Sequence, residues 1–224
     1  MRDSTAALLE AVRSGVNRIG EISIQSFDSN DCFKLSHHTD ASLAALPDHG
    51  GLETFEGPSS ARQISLFSED GEYRFLKALR NLKRGWVMIL RSCTDLRLAL
   101  DQFYPAALGM WLSHRDGTLE IENLREKLDR QTGMYRRAKM IHDERAQVLV
   151  AATCASGPGC ARKILWSISP TQPLIPSPAS TCKGHACTVS PESTIPLLCA
   201  SPCNHFVAEC LVAAKQQPAT PTTP

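Results

Sequence analysis

The cysteines are the residues of this sequence most able to do chemistry. There are nine of them, and two, Cys32 and Cys93, precede residue 150. The N-terminus carries no recognisable export signal. Clustering of the other seven cysteines in the last third of the chain therefore favours metal or redox chemistry over a disulfide framework. Cys32 and Cys93 are interpreted as small, inert hydrophobic residues. The other seven lie in the last third of the chain: Cys154, Cys160, Cys182, Cys187, Cys199, Cys203 and Cys210.

Four of these cysteines form two closely spaced pairs. Cys154 and Cys160 enclose five small or turn-forming residues, and Cys199 and Cys203 enclose Ala-Ser-Pro. The second cysteine of each pair is predicted to begin a helix, over 161–166 and 204–211. Unpaired N–H groups and the positive dipole end of a helix favour a thiolate over a thiol. The pattern therefore predicts one Cys₄ site built from both pairs.

Spacing alone leaves the identity of the metal open. A five-residue gap suits the wide span of a [4Fe–4S] cube, although the ferredoxin run C-x₂-C-x₂-C is absent. The Cys199/Cys203 pair also matches half of a structural zinc site, whereas the Cys154/Cys160 pair is too widely spaced for one. An iron–sulfur cluster is favoured, with zinc and metal-free thiols as the alternatives.

The remaining three cysteines are weaker candidates for metal ligands. Cys182 and Cys187 lie in a segment rich in Ser, Pro and Thr at about 167–196, which is predicted to be an exposed insertion. Either of them could replace a ligand or bind a second metal with His185. Cys210 follows Cys203 by seven residues on the same helical face, and we expect it in the core beside Phe206 and Val207.

Composition excludes several classes of protein. The 224 residues are 42% hydrophobic and 21% charged, an ordinary globular balance. With 24 basic against 23 acidic residues, the chain is not a general polyanion binder. No apolar run approaches a membrane span of about 20 residues. We therefore expect a soluble, cytoplasmic protein with no nucleic-acid or membrane partner.

Helical and strand-like patterns interleave without regular βαβ periodicity, which predicts an α+β fold with a mainly antiparallel sheet. We expect an N-terminal mixed domain of helices and antiparallel sheet, then a small, mainly helical Cys-rich domain. The individual elements expected are a helix over about 3–19, a hairpin over 22–35, a strand at 64–66, a helix over 76–82, a buried strand at 86–90, a helix from 94 to 103, a hairpin over 111–121, and helices over 124–139, 143–154 and 202–215.

No catalytic set is recognisable, and we expect no catalytic activity in this chain alone. The sequence contains no Ser-His-Asp set, phosphate-binding glycine loop or H-E-x-x-H motif. His37, His38 and Asp40 are interpreted as a polar loop after a strand. The basic stretch Arg130–Arg137 suits a hinge whose arginines pair with acidic residues of the first 70, or an anion-binding surface as the alternative.

Several stretches resemble the two accessory domains of a bacterial family related to sirohydrochlorin cobaltochelatase. The resemblance covers about residues 1–215 and includes the four pairing cysteines. The stretches that carry it are Tyr73–Lys77, Asn81–Trp86, Phe103–Ala107, Arg130–Arg136 and Ile164–Trp166.

This resemblance implies a stabilising domain over 1–128 and a [4Fe–4S] cluster-binding domain over 129–215, followed by a disordered tail over 216–224. It implies that Cys154, Cys160, Cys199 and Cys203 are the cluster ligands. No chelatase portion is expected in this chain, so tetrapyrrole metallation is not assigned to it. The cluster would be structural or transfer one electron at a time, with a separate chelatase or redox protein as partner. The alternatives are a structural zinc-binding interaction module and a subunit of a cobaltochelatase-like enzyme.

Overall fold

The computed structural model describes residues 4–27, 31–155, 159–170 and 193–216. These residues divide into two compact units. The first unit runs up to Thr118 and includes residues 193–197; the second runs from Leu119 to residue 170 and includes residues 198–216.

The first unit combines short helices with a six-stranded sheet. Its elements are α1 (Ser4–Arg13), β1 (Arg18–Ile19), β2 (Ile22–Ser26), β3 (Phe33–His37), α2 (Ala41–Ala44), β4 (Glu53–Glu56), α3 (Ser60–Ser65), β5 (Trp86–Leu90), α4 (Cys93–Phe103), α5 (Ala107–Arg115) and β7 (Thr194–Ile195). The second unit contains α6 (Leu124–Asp129), a 3₁₀ helix (Gly133–Met140), α7 (Asp143–Val150), a π-helical turn (Ala151–Ala155), β6 (Lys163–Ile164), β8 (Leu198–Cys199) and α8 (Asn204–Gln216).

The sheet of the first unit has the strand order β4-β5-β3-β2-β1-β7. Its four inner strands pair antiparallel, while the outermost pairs, β4 with β5 and β1 with β7, are parallel. Ile24 pairs with Leu35, and Leu35 pairs with Met88 on the next strand. All three side chains are buried, so this row fixes the register of the central strands.

Helix α4 illustrates how the sequence begins and buries a helix in the first unit. The Ser92 hydroxyl accepts a hydrogen bond from the Asp95 amide at 3.1 Å, which caps the N-terminus. Leu96, Leu100 and Phe103 then recur at helical spacing and are buried. The helix packs against α1, α3 and β5.

The second unit is mainly helical and has its own hydrophobic core. Asn123 and Glu126 form a capping box at the start of α6. The Arg125 guanidinium contacts the Asp143 carboxylate and donates to the Ile141 carbonyl at 2.7 Å, which links α6 to the start of α7. The core includes Leu124, Leu128, Ala138, Ile141, Ala146, Val150, Ile164, Trp166, Ile168, Phe206, Val207, Cys210, Leu211 and Ala213.

The α+β class, with a mixed first domain and a small, mainly helical second one, is confirmed. The hairpin of β2 and β3, the buried strand β5 and the helices α1, α4, α7 and α8 are present, although α1 ends at Arg13. Several local predictions are wrong. Residues 60–65 form α3 rather than a strand, residues 107–115 form α5 rather than part of a hairpin, and residues 76–82 form no helix. The helix expected over 124–139 ends at Asp129, and a separate 3₁₀ helix follows from Gly133.

The units divide earlier in the chain than the boundary that sequence analysis places after residue 128. Helix α6 lies beyond the division at Thr118 because Leu124 and Leu128 are buried in the core of the second unit. Both ends of the segment at about 167–196, interpreted as an insertion, contribute to the folded units. Ile168 is buried in the core of the second unit, and β7 joins the sheet of the first. Cys182, Cys187 and the tail from 217 lie outside the described residues.

Among the helices of the described ranges, none is both long and apolar enough to cross a bilayer.

Candidate metal centre

The first cysteine pair follows α7. The π-helical turn Ala151–Ala155 continues from this helix and carries Cys154, so the expectation that a helix delivers this residue is confirmed. The Cys160 amide donates to the Cys154 carbonyl at 3.0 Å, which closes the loop between the two residues. Both thiols are half-buried.

Cys160 does not begin a helix. The residues after it lead into β6, a two-residue strand that pairs in parallel with β8. The expected contribution of a helix dipole at Cys160 is therefore wrong. The apolar spacing of Ile164, Leu165 and Trp166 also fits an extended segment, and all three are buried in that conformation.

The second pair spans the junction between β8 and α8. Cys199 ends β8, and its carbonyl accepts a hydrogen bond from the Leu165 amide at 3.0 Å. The Cys203 carbonyl accepts from the Val207 amide at 3.0 Å, and its sulfur accepts from the Phe206 amide at 3.5 Å. Cys203 therefore occupies the N-cap position of α8, as the sequence predicts.

The two pairs lie close enough together to interact electrostatically. Burial, followed by the charges of Cys160, Cys203, Cys199 and Cys210, raises the pKa of the Cys154 thiol to about 12. The neighbouring thiols raise this pKa because each of them, when ionised, opposes a further negative charge. Cys203 is the exposed member of the set, while the other three sulfur-bearing residues are half-buried.

A tryptophan supports the sulfur of Cys199. Burial raises the pKa of this thiol; the indole N–H of Trp166, which donates to its sulfur at 3.3 Å, acts in the opposite direction. The charges of Cys160 and Cys203 raise the pKa further, and that of Arg162 lowers it. A donor aimed at sulfur stabilises the thiolate form that binds metal. Trp166 belongs to one of the stretches that carry the family resemblance. Its role as a donor to sulfur could not be predicted from sequence, because an indole is not a metal ligand and has no characteristic spacing from the cysteines.

Cys210 lies in the hydrophobic core beside Phe206 and Val207, as expected. Burial raises its pKa to about 12, against the opposing effect of Arg125, while Glu209 and Cys203 add to the rise. Cys182 and Cys187 lie outside the described residues, so their place relative to the other thiols stays a prediction.

The donor set fits an iron–sulfur cluster in its chemistry. Four cysteines from two segments are the usual ligands of a [4Fe–4S] cluster, and amide and indole N–H groups already point at two of the sulfurs. In the part of the chain that the structure describes, no group of three or more His, Cys, Asp or Glu side chains is arranged to hold a metal ion.

Comparisons with known proteins agree with this division of the chain. Residues 2–115, half of the chain, match the model of the DR2241 stabilising domain, and residues 116–211 match that of a 4Fe-4S iron–sulfur cluster binding domain. No curated protein sequence matches the chain.

One solved structure similar to this chain is DR2241 from Deinococcus radiodurans, described as a multi-domain protein with structural similarity to chelatases and two additional novel domains. The match has a TM-score of 0.72 at 26% sequence identity and covers 96% of this chain. The chain spans 42% of the length of that protein.

Proposed function

Since this chain belongs to the family of the DR2241 stabilising domain and carries a 4Fe-4S cluster-binding domain, we propose that it binds one [4Fe–4S] cluster through Cys154, Cys160, Cys199 and Cys203. The observation that carries the proposal is the parallel pairing of β6 with β8, which brings the segment after Cys160 beside the segment that ends at Cys199, although about 40 residues separate the two pairs along the sequence. All four cysteines lie within residues 116–211, the part of the chain that matches the cluster-binding domain. Iron bound by these cysteines would stabilise their thiolate forms.

The cluster would supply one-electron chemistry and a covalent link between two segments of the second unit. Cys154 would hold it from the turn after α7, Cys160 from the segment that leads into β6, and Cys199 and Cys203 from the junction of β8 and α8. The exposed position of Cys203 supports electron transfer over a purely structural role, because it leaves one ligand near solvent. The chain's own contribution is to position the sulfurs and direct N–H groups at them.

Anaerobic purification with iron, acid-labile sulfide and zinc measured tests this proposal. Iron and sulfide should be present in equal amounts, and the visible absorbance should be lost in Cys154→Ser and in Cys203→Ser. Cys32→Ser, a half-buried thiol of the first unit, is the matched control and should keep the absorbance. Cys182→Ser and Cys187→Ser should also keep it.

Two results would contradict the assignment. Stoichiometric zinc without sulfide would favour a structural zinc module, since zinc accepts the same four thiolates. Bleaching of the protein by Cys182→Ser or Cys187→Ser would show that the ligand set is wrong.

We also propose that the chain acts beside a chelatase-like protein, because the similar structure combines chelatase-like and additional domains. The proposal predicts a stable complex when the chain is co-expressed with a chelatase-like protein from the same organism. Separate elution of the two proteins in size-exclusion chromatography would contradict it.

A further inference from the structure

The 3₁₀ helix Gly133–Met140 of the second unit, called the basic segment below, is exposed along nearly its whole length. Ala138 is its one buried residue. Met134 is 72% exposed and Met140 is 65% exposed. The segment carries the cations Arg136, Arg137 and Lys139 and no acidic residue. It is therefore an exposed surface of positive charge flanked by apolar side chains.

The three cations have no acidic partner among the described residues. The ion pairs of the described ranges do not include Arg136, Arg137 or Lys139. Two acidic residues of the second unit are paired with other cations: Glu122 with Arg130 and Lys127, and Asp143 with Arg125. The expectation that arginines of this stretch pair with acids of the first 70 residues is wrong for Arg130, because Glu122 lies next to it.

The basic segment lies near the candidate cluster ligands. It packs along α8, and Ala138 shares the core with Phe206 and Val207, the residues in the first turn of that helix. Helix α8 has 13 residues and begins directly after Cys203. At a rise of 1.5 Å per residue it spans about 20 Å, which limits how far the segment can lie from that thiol.

Arg125 provides a second connection between the segment and the thiols. Its guanidinium donates to the Lys139 carbonyl at 3.2 Å and so fixes the end of the segment. The same side chain contacts the carboxylate of Asp143 at the start of α7, the helix that leads into the turn carrying Cys154. The segment is thus held in place against the part of the unit that carries the sulfurs.

We propose that the basic segment is the docking surface for an acidic electron-carrier protein. The inference rests on the proposed function, since the carrier would reduce the cluster. One electron would leave the reduced carrier and enter the oxidised cluster, with no bond or proton transferred. Three exposed cations without an acidic partner attract a protein of negative charge, and Arg, Tyr and Met are among the residues enriched at protein–protein interfaces. Met134 and Met140 offer apolar contacts that a phosphate backbone does not use, which favours a protein over a nucleic acid.

The test compares wild-type protein with the triple variant Arg136→Glu/Arg137→Glu/Lys139→Glu. The probe is a labelled [2Fe–2S] ferredoxin of strongly negative net charge. Its binding is followed by fluorescence anisotropy, and reduction of the cluster by the reduced ferredoxin is followed by stopped-flow absorbance. Charge reversal should weaken binding and slow the second-order reduction by about 10-fold or more, because electrostatic steering changes such rates by 10 to 10³. Added salt should slow the wild type strongly and the variant little.

The control variant Arg62→Glu/Arg80→Glu/Arg91→Glu reverses three exposed cations of the first unit and changes the net charge equally. It should stay within about two-fold of the wild type. Iron and sulfide content, measured on all three proteins, reports separately on the proposed function. In iron-replete protein, equal binding and reduction rates for wild type and triple variant overturn the docking surface alone. The wild type could instead bind a single-stranded oligonucleotide more tightly than it binds ferredoxin, with this binding abolished by the triple variant. That result overturns the proposed protein-docking surface in favour of a nucleic-acid site.

Discussion

Each unit contains a cluster of ionisable side chains, buried in the first unit and half-buried to exposed in the second, and the two clusters are built on opposite electrostatic principles. In the first unit, the Glu21 carboxylate lies 3.1 Å from the Arg74 guanidinium, and both side chains are buried. The carboxylate also accepts from the Leu82 amide at 3.2 Å, and the Tyr104 hydroxyl accepts from the Glu21 amide at 2.9 Å. The carboxylate is thus compensated by an opposite charge and by hydrogen bonds of the same chain, while the Nη1 atom of Arg74 is buried without a hydrogen-bond partner among the described residues.

The thiol cluster of the second unit lacks this internal compensation. Burial and the neighbouring thiols raise the pKa of Cys154, and Arg162 lowers that of Cys199 against the effect of burial. Like charges held close together ionise more readily when a cation joins them. The comparison teaches that the first unit pairs its buried carboxylate with a cation of its own chain, whereas under the proposed function the thiols of the second unit would be joined by the iron of the cluster.

Removal of the cluster is the strongest way to test this difference. Oxidative chelation of iron should lower the hydrogen-exchange protection of the Leu165 and Val207 amides by about 10³-fold or more, because binding of a metal to cysteines contributes directly to folding. Those amides donate to the carbonyls of Cys199 and Cys203. The measurement is native-state exchange of the loaded and chelated protein.

The central strands of the first unit provide the internal control. Amides of β3 and β5 should keep their protection within about two-fold, since no cysteine of the proposed set lies in that unit. Equal loss of protection in both units, or retention in both, would contradict the division between a self-sufficient and a cluster-dependent part.

The elements that carry the two cysteine pairs differ in how far the sequence predicts them. The helix beginning after Cys203 is foreseen because Pro202 and the apolar spacing of Phe206, Cys210 and Ala213 act locally. The extended chain after Cys160 is not, since its conformation depends on pairing with β8, a strand that enters more than 30 residues later. Short apolar runs do not distinguish helix from strand without that partner.

The same limit explains the absent helix over residues 76–82. The leucines there have helical spacing, but the Leu82 amide donates to the Glu21 carboxylate, and the side chain of Asn81 accepts from Arg74 at 3.1 Å. Ser68 bridges to Leu82 in antiparallel fashion. The conformation of this segment depends on the buried ion pair between Arg74 and Glu21, which are 53 positions apart in the sequence. No local sequence pattern can show such a contact.

Breaking the ion pair should destabilise the first unit strongly and leave the iron content unchanged. Arg74→Met leaves the Glu21 carboxylate buried without its cation, which costs about 3–5 kcal/mol. The free energy of unfolding is measured by urea denaturation, with the fluorescence of the first unit as the signal. Iron is quantified in the protein that remains folded.

The double variant Glu21→Gln/Arg74→Met separates charge from shape. Because it removes both charges, it should recover part of the loss, to within about 1–2 kcal/mol of the wild type. Loss of iron in Arg74→Met protein that remains folded would show that the cluster of the second unit depends on the first-unit ion pair, against the comparison drawn here.

The smallest expected effect concerns the two buried tryptophans, which have matched hydrogen bonds in different units. The Trp166 indole donates to the Cys199 sulfur, and the Trp86 indole donates to the Lys83 carbonyl at 2.6 Å. Trp166→Phe removes a donor to a proposed cluster ligand, and this donor stabilises the reduced, more negative state more than the oxidised one. The reduction potential of the cluster should therefore fall by on the order of tens of millivolts, as expected for one neutral hydrogen bond.

Trp86→Phe is the control variant and should lower the free energy of unfolding by about 1–2 kcal/mol and leave the reduction potential unchanged. The reduction potential of each variant is measured by redox titration. Equal shifts of the reduction potential in the two variants would mean that it depends on the overall stability of the protein rather than on the N–H group directed at the Cys199 sulfur.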